Sequence, residues 1–325
     1  MAEFAAGLGE GYEGALTLVA HEEETPAGDA FVERVLAAGR AGRGTVQVVQ
    51  FADATLAHLA PALHEATGAP VVVSILGDDL PRGDVEALAR LGEALRAPGV
   101  TVVASCATVA AEITARLRLS PRVIHPGVDT RFWGPVSSSR EHVEEFRGRL
   151  GLPLDGRLVL SAGPITERSG IEWFAREVLP RLPEDVRYVV ASDGPPAALE
   201  SLGSLPRVVR SEVHLRNETA ALFYASDLLV LPNLPNPEAP SGYRMDAARA
   251  SATGLPVLLA DIEGCADTAA NLGLRTAAPG DAAAWAITVD TMLARRDGPT
   301  RVAEPWVLVA YHYLQLYREV AGLPA

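Results

Sequence analysis

Short, continuous apolar runs alternate along the chain with longer stretches whose apolar residues recur every three or four positions. The runs Ala15–Ala20, Thr45–Phe51, Pro70–Ile75, Val100–Ala104 and Arg122–Ile124 show no strict apolar–polar alternation. That is the pattern of parallel strands covered on both faces. Between them Asp29–Ala41, Ala52–Thr67, Arg82–Arg96 and Ala107–Leu119 carry helical spacing. The series predicts a doubly wound α/β domain built from βαβ units. A stretch with Pro, Gly and a Ser run follows, and then a second series begins. Its strands are Leu158–Ser161, Arg187–Ala191, Arg207–Arg210, Leu228–Leu231 and Pro256–Ala260. Its helices are Ile171–Leu179, Pro196–Leu202, Glu218–Tyr224, Tyr243–Ala252 and Asp281–Leu293, and Pro305–Val320 closes the chain as an apolar helix. The expected division is a first Rossmann-like domain over 1–126, a linker over 127–136, a second Rossmann-like domain over 137–304, and a closing helix over 305–325 that can return to the first domain. Two such domains imply a ligand-binding cleft at the carboxyl ends of their strands.

Composition narrows the chemistry. The 325 residues suit two domains rather than one core. All 28 basic residues are Arg, against 41 acidic ones, for a net charge of −13. That balance argues against a general nucleic-acid binder, which needs a basic footprint. With no Lys there is no Schiff-base Lys and no Lys clamp on a diphosphate. An anionic ligand must be held by Arg, backbone N–H groups or a helix N-terminus. Cys106 and Cys265 lie too far apart in sequence for a disulfide framework or a metal-ligand spacing, and the His residues show no metal-ligand spacing either. No metal is expected. The acidic N-terminus lacks the pattern of a signal peptide, and no apolar run reaches membrane-spanning length. A cytoplasmic protein is the expectation.

The order of motifs brings a family into view. Residues 122–134 read RVIHPGVDTRFWG; later come LVLSAGPITERSGIEWF, RYVVASDGPPAALESL, ALFYASDLLVLPN, ATGLPVLLADIEGCAD and AAPGDAAAWAITVDTML. Taken in order over roughly residues 120–320, these resemble the retaining GT-B glycosyltransferases of group 1 (GT4). The resemblance implies two Rossmann-like domains facing a cleft, with the donor nucleotide-sugar held mainly by the C-terminal one. The N-terminal domain is reduced, and the His of its loop becomes Leu76.

The positions that carry chemistry in that family have changed. Its Glu-x7-Glu pair falls on Ser241 and Arg249; Gly242 keeps a glycine, Tyr243 stands for an aromatic, and Arg244 replaces a second glycine. The family's Arg and Lys that clamp the diphosphate fall on Pro164 and Ser169, in a loop opening with Gly163, while Arg168 can bring one charge. Asp193 and Gly194 match its Gly-Asp-Gly-Pro turn. The candidate donor-binding set is therefore Gly163, Arg168, Asp193, Gly194, Ser241, Gly242, Tyr243, Arg244 and Arg249, and no catalytic residue is assigned. Arg168, Arg244 and Arg249 could build an Arg-based anion site, aided by the helix N-terminus near Gly242. The plainer alternatives are an Arg249–Asp246 ion pair, a solvated Arg168, and a turn at Asp193–Gly194.

Two functions stay open on the residues alone. One is transfer of a sugar from a nucleotide-sugar, the nucleotide unknown, to an unknown acceptor. The other is a catalytically degenerate homologue that binds a ligand, or serves as a scaffold or activating partner. The expected ligand is a nucleotide-sugar or another anionic small molecule; a protein partner or a second copy of the chain is compatible with either.

Overall fold

The computed structural model describes residues 29–77, 79–135, 140–192, 202–211, 216–236, 242–295 and 303–323. The expected strand Ala15–Ala20 and most of the expected helix Pro196–Leu202 lie outside them. The chain divides into two compact units: residues up to Gly127 together with those from Glu304 onward, and Val128–Ala303. Among the described residues no helix is long and apolar enough to cross a membrane.

In the first unit α1 (Asp29–Ala41), β1 (Val49–Phe51), α2 (Ala60–Thr67), β2 (Val71–Ile75), α3 (Val85–Leu95), β3 (Val100–Ala104), α4 (Ala107–Leu117) and β4 (Arg122–Val123) follow one another. The four strands form a parallel sheet in the order β1-β2-β3-β4. Every residue of β2 is buried, which is why its apolar run is continuous. The helix ends have local causes. Asp84 caps α3 by accepting from the Ala87 N–H at 2.8 Å. Gly68, at φ 74°, ends α2.

The second unit holds α5 (Arg140–Arg149), β5 (Arg157–Ala162), α6 (Ile171–Trp173), β6 (Val186–Ala191), β7 (Val208–Ser211), α7 (Arg216–Ala225), β8 (Leu228–Leu231), α8 (Met245–Thr253), β9 (Val257–Ala260), α9 (Glu263–Leu272), β10 (Arg275–Ala277) and α10 (Ala282–Arg295). Its sheet is parallel throughout, in the order β10-β9-β8-β5-β6-β7. The strand order reverses between β5 and β8, the topological switch of a doubly wound sheet. After α6 the helix widens over Phe174–Val178 and tightens over Leu179–Arg181. Trp133, Phe174, Tyr188, Phe223 and Trp285 are the large side chains of this core. Val128 and Trp133, from the segment expected as a linker, belong to the same core.

Helix α11 (Trp306–Val320) packs on the first unit through Val309, Tyr313 and Leu316 against Val72 and Val103. A polar chain crosses that apolar contact. Gln50 Nε2 donates to Ser74 Oγ at 3.0 Å, Ser74 Oγ and Tyr313 OH share a bond of 2.8 Å, and Tyr317 OH donates to Gln50 Oε1 at 2.9 Å.

Candidate functional site

The second unit gathers its polar groups at the carboxyl ends of β5, β8 and β9. After β5 the chain enters a loop at Gly163, whose φ of 122° favours glycine. Its N–H bonds the Ala191 carbonyl at 2.9 Å, which ties the loop to β6. Ser169, which the resemblance aligns with a phosphate-binding Lys, is bound into its own loop. Its Oγ donates to the Thr166 carbonyl at 2.7 Å, and its N–H bonds Thr166 Oγ1 at 3.1 Å. Gly170 follows at φ 67°, with space for no side chain: a Cβ there would lie 1.9 Å from the Pro232 carbonyl oxygen. The Leu234 N–H donates to the Arg168 carbonyl at 2.9 Å. The loop after β5 is thus fastened to residues 232–234, just beyond β8.

Asn233, only 6% exposed, lies in that segment. Its Oδ1 is 3.8 Å from the Sγ of Cys265, in the first turn of α9. Burial pushes the Cys265 thiol up to about 11. The positive charges of Arg244 and Arg168 act in the opposite direction, Arg244 the more strongly, and Glu263 adds to the rise. The thiol is therefore protonated at neutral pH and donates to Asn233 Oδ1.

Arg244 is the residue before α8. Its N–H bonds Thr268 Oγ1 at 2.9 Å, and Tyr243 OH donates to Asn271 Oδ1 at 2.8 Å, so both fix the start of α8 against α9. Neither helix has a side-chain cap at its N-terminus. Among the described residues, the buried Arg244 Nε meets no hydrogen-bond partner. A guanidinium at the positive end of a helix is electrostatically unfavourable by itself. A second guanidinium near the same thiol, at a second uncapped helix start, compounds this. An anion held among these groups would reverse the sign of each interaction.

Of the sequence candidates, the structure ties Arg168 through its carbonyl to Leu234, ties Arg244 through its N–H to Thr268 of α9, and places buried Gly242 and half-buried Tyr243 at the start of α8. Arg249 is engaged elsewhere: its guanidinium lies 5.4 Å from the Trp133 ring centroid and 3.7 Å from Asp246 Oδ1. Asp193, Gly194 and Ser241 lie outside the described residues. Asn233, Cys265, Thr268 and Asn271 were missed by sequence reasoning. Asn233 closes the quoted run LVLPN and Cys265 sits in DIEGCAD, so family patterns marked both segments without marking these side chains.

The first unit has its own polar knot at the carboxyl ends of β1 and β2. Asp79 accepts from the N–H groups of Ala54, Leu76 and Gly77 at 2.7–3.0 Å. Burial raises its pKa, and these amides pull it back down. Leu76, where the family pattern has His, is 47% exposed.

Known proteins share the fold and one segment of the sequence. The family model described as "Glycosyl transferases group 1" matches residues 156–295. D-inositol 3-phosphate glycosyltransferase of Xylanimonas cellulosilytica is 34% identical over 152 residues, which cover 44% of this chain and 35% of that protein. The chain thus matches about a third of the length of its sequence relatives. Among solved structures, a glycosyltransferase from Rickettsia africae superposes with a TM-score of 0.70 at 15% identity, covering 94% of this chain and 84% of that one. Anabaena HepE, solved in complex with UDP and glucose, gives 0.67 at 15% identity, covering 92% and 83%. These similarities establish the GT-B fold, and residues 156–295 match the group 1 glycosyltransferase domain.

Proposed function

We propose that the protein is a glycosyltransferase whose second unit holds the diphosphate of a nucleotide-sugar through Arg168, Arg244 and the uncapped N-termini of α8 and α9. The observation that carries this reading is that the segments bearing Arg168 and Arg244 are fastened at the carboxyl ends of the strands, Arg168 through its carbonyl to Leu234 and Arg244 through its N–H to Thr268 of α9. Both belong to a chain whose net charge is −13. During transfer, negative charge develops on the departing diphosphate, and fixed cations and N–H dipoles stabilise it without reorganising. Losing one such group typically costs about 10²–10³ in rate. Arg168 and Arg244 would supply the charge that the family draws from an Arg and a Lys.

HepE was solved with UDP, so UDP is the first nucleotide to try. The test is calorimetric titration of UDP, GDP, ADP and dTDP and their sugar forms, followed by release of nucleotide in the presence of candidate sugar and polyol acceptors. Binding of one nucleoside diphosphate that weakens at least tenfold in Arg244→Ala and Arg168→Ala is expected. No binding at millimolar ligand overturns the reading. Binding with no transfer to any acceptor turns the protein into a ligand-binding homologue.

A further inference from the structure

Helix α11 buries one side on the first unit and keeps an apolar patch on the other. Val309, Tyr313 and Leu316 pack inward, while Val307, Leu308 and Tyr311 are 47–55% exposed. Of the nine large apolar side chains exposed among the described residues, these three lie within one turn of a single helix. Half-buried Leu314 continues their face, since residues three, four and seven apart share a side. Val123, exposed on the edge strand β4, shares a cleft with His312 and Gln315 and carries the apolar surface beyond the helix. An exposed apolar residue standing alone is ordinary, but a contiguous set at helical spacing marks an interaction surface.

The charges at the two ends of the patch point to its occupant. At the amino end the Glu304 carboxylate lies 3.9 Å from His312, along the exposed side of the helix. At the carboxyl end Arg318 is exposed, and among the described residues its guanidinium has no ion-pair or hydrogen-bond partner. Glu304 and Arg318 stand equally far from Tyr311 in sequence, one on each side. An isologous contact requires a self-complementary patch. This one is acidic at one end, basic at the other and apolar between, with a tyrosine at its centre.

We propose that this face of α11 is where two copies of the chain associate, their helices antiparallel about a two-fold axis at Tyr311. Tyr311 then stacks on the partner's Tyr311, Leu308 covers the partner's Leu314, and Arg318 pairs with the partner's Glu304, each contact made twice. A contact built on one helix a side lies at the low end of interface sizes, so the dimer forms at micromolar concentrations rather than permanently. The proposal stands apart from the nucleotide-sugar reading and does not depend on it.

Sedimentation velocity of the full chain from about 5 to 500 μM tests it, with a shift from one chain to two expected at a Kd of about 10–100 μM. Tyr311→Glu sets two carboxylates at the axis and should stay monomeric throughout. Glu304→Arg and Arg318→Glu each oppose like charges and should weaken association at least about tenfold. An equimolar mixture of these two variants should restore it, because one copy then carries two carboxylates and the other two guanidinium groups. Loss of fold in either variant cannot produce that recovery, and far-ultraviolet dichroism checks the fold of each. A wild type that stays monomeric over the whole range overturns the proposal, including the case in which another segment of the chain covers the face. A dimer that persists in Tyr311→Glu overturns it too, as does a mixture that associates no better than its components.

Discussion

The guanidinium of Arg249 lies over the ring of Trp133, 5.4 Å from its centroid, and the ring is 1% exposed. Helix α8 is thereby pinned to the segment that follows Gly127, and the charge is spent inside the second unit. A cation over a desolvated indole contributes about 1–2 kcal/mol. Arg249→Ala should therefore lower stability by about that amount in chemical denaturation, while nucleotide affinity measured by calorimetry stays within about twofold. An affinity collapse at unchanged stability would return Arg249 to the ligand.

Gly170 and the Pro232 carbonyl set the spacing between the loop after β5 and the segment after β8. Any side chain must displace backbone, since a Cβ would sit 1.9 Å from that oxygen and φ is 67°. Gly170→Ala should cost about 2–4 kcal/mol in denaturation. It should also weaken nucleotide binding, because the loop that carries Arg168 would part from the segment after β8. A variant as stable as the wild type would show that the loop has another arrangement.

The elements that the sequence revealed best are those dictated by burial. The continuous apolar runs of β2, β8 and β9 exist because both faces are covered, and their extents agree with the pattern to within a residue. Helix α5, REHVEEFRGR, is so polar that only its packing beside α7 defines it, and the sequence pattern assigns no element there. Helix α9, EGCADTAANL, presents small side chains rather than an apolar stripe, and β10 spans three residues, two of them exposed. In the candidate site, single-residue alignment pointed to Arg168 and Arg244 because charge changes stand out against a family pattern. It could not see that Trp133, more than a hundred positions away, takes Arg249. Nor could it see that Cys265 meets Asn233, since a thiol–amide contact leaves no spacing signal.

Arg147 is a deeply set ion-pair cation of the second unit, with the residue 5% exposed. It donates to the carbonyls of Ala225 and Gly156 at 2.9 and 3.0 Å and to Asp227 Oδ2 at 2.9 Å. Asp227 in turn accepts from the Leu158 N–H at 2.8 Å, so one pair joins α5, β5 and the turn before β8. Removing one partner strands the other and uncovers two carbonyls. Arg147→Ala should cost about 3–5 kcal/mol in denaturation, and Arg147→Lys should recover only part, because a single ammonium cannot span the guanidinium fork.

Alkaline pH should loosen the fold in a window set by the buried thiol. Burial raises Cys265 from its ordinary 9.0 to about 11, so the folded protein holds a proton that the unfolded chain releases. Stability from this group is fully present below pH about 9 and is lost as pH rises toward about 11. A shift of this size corresponds to roughly 2–3 kcal/mol. The hydroxyls of Tyr188, Tyr313, Tyr317 and Tyr224 are all raised, chiefly by burial, and they extend the loss to still higher pH. Urea denaturation at intervals from pH 7 to pH 11 should show a plateau and then a fall that begins near pH 9. In Cys265→Ser that fall should start about one unit later, where the tyrosines first titrate, because serine has no proton to lose in the range. Coincident curves for the two proteins would mean that burial does not hold the Cys265 proton in the folded state.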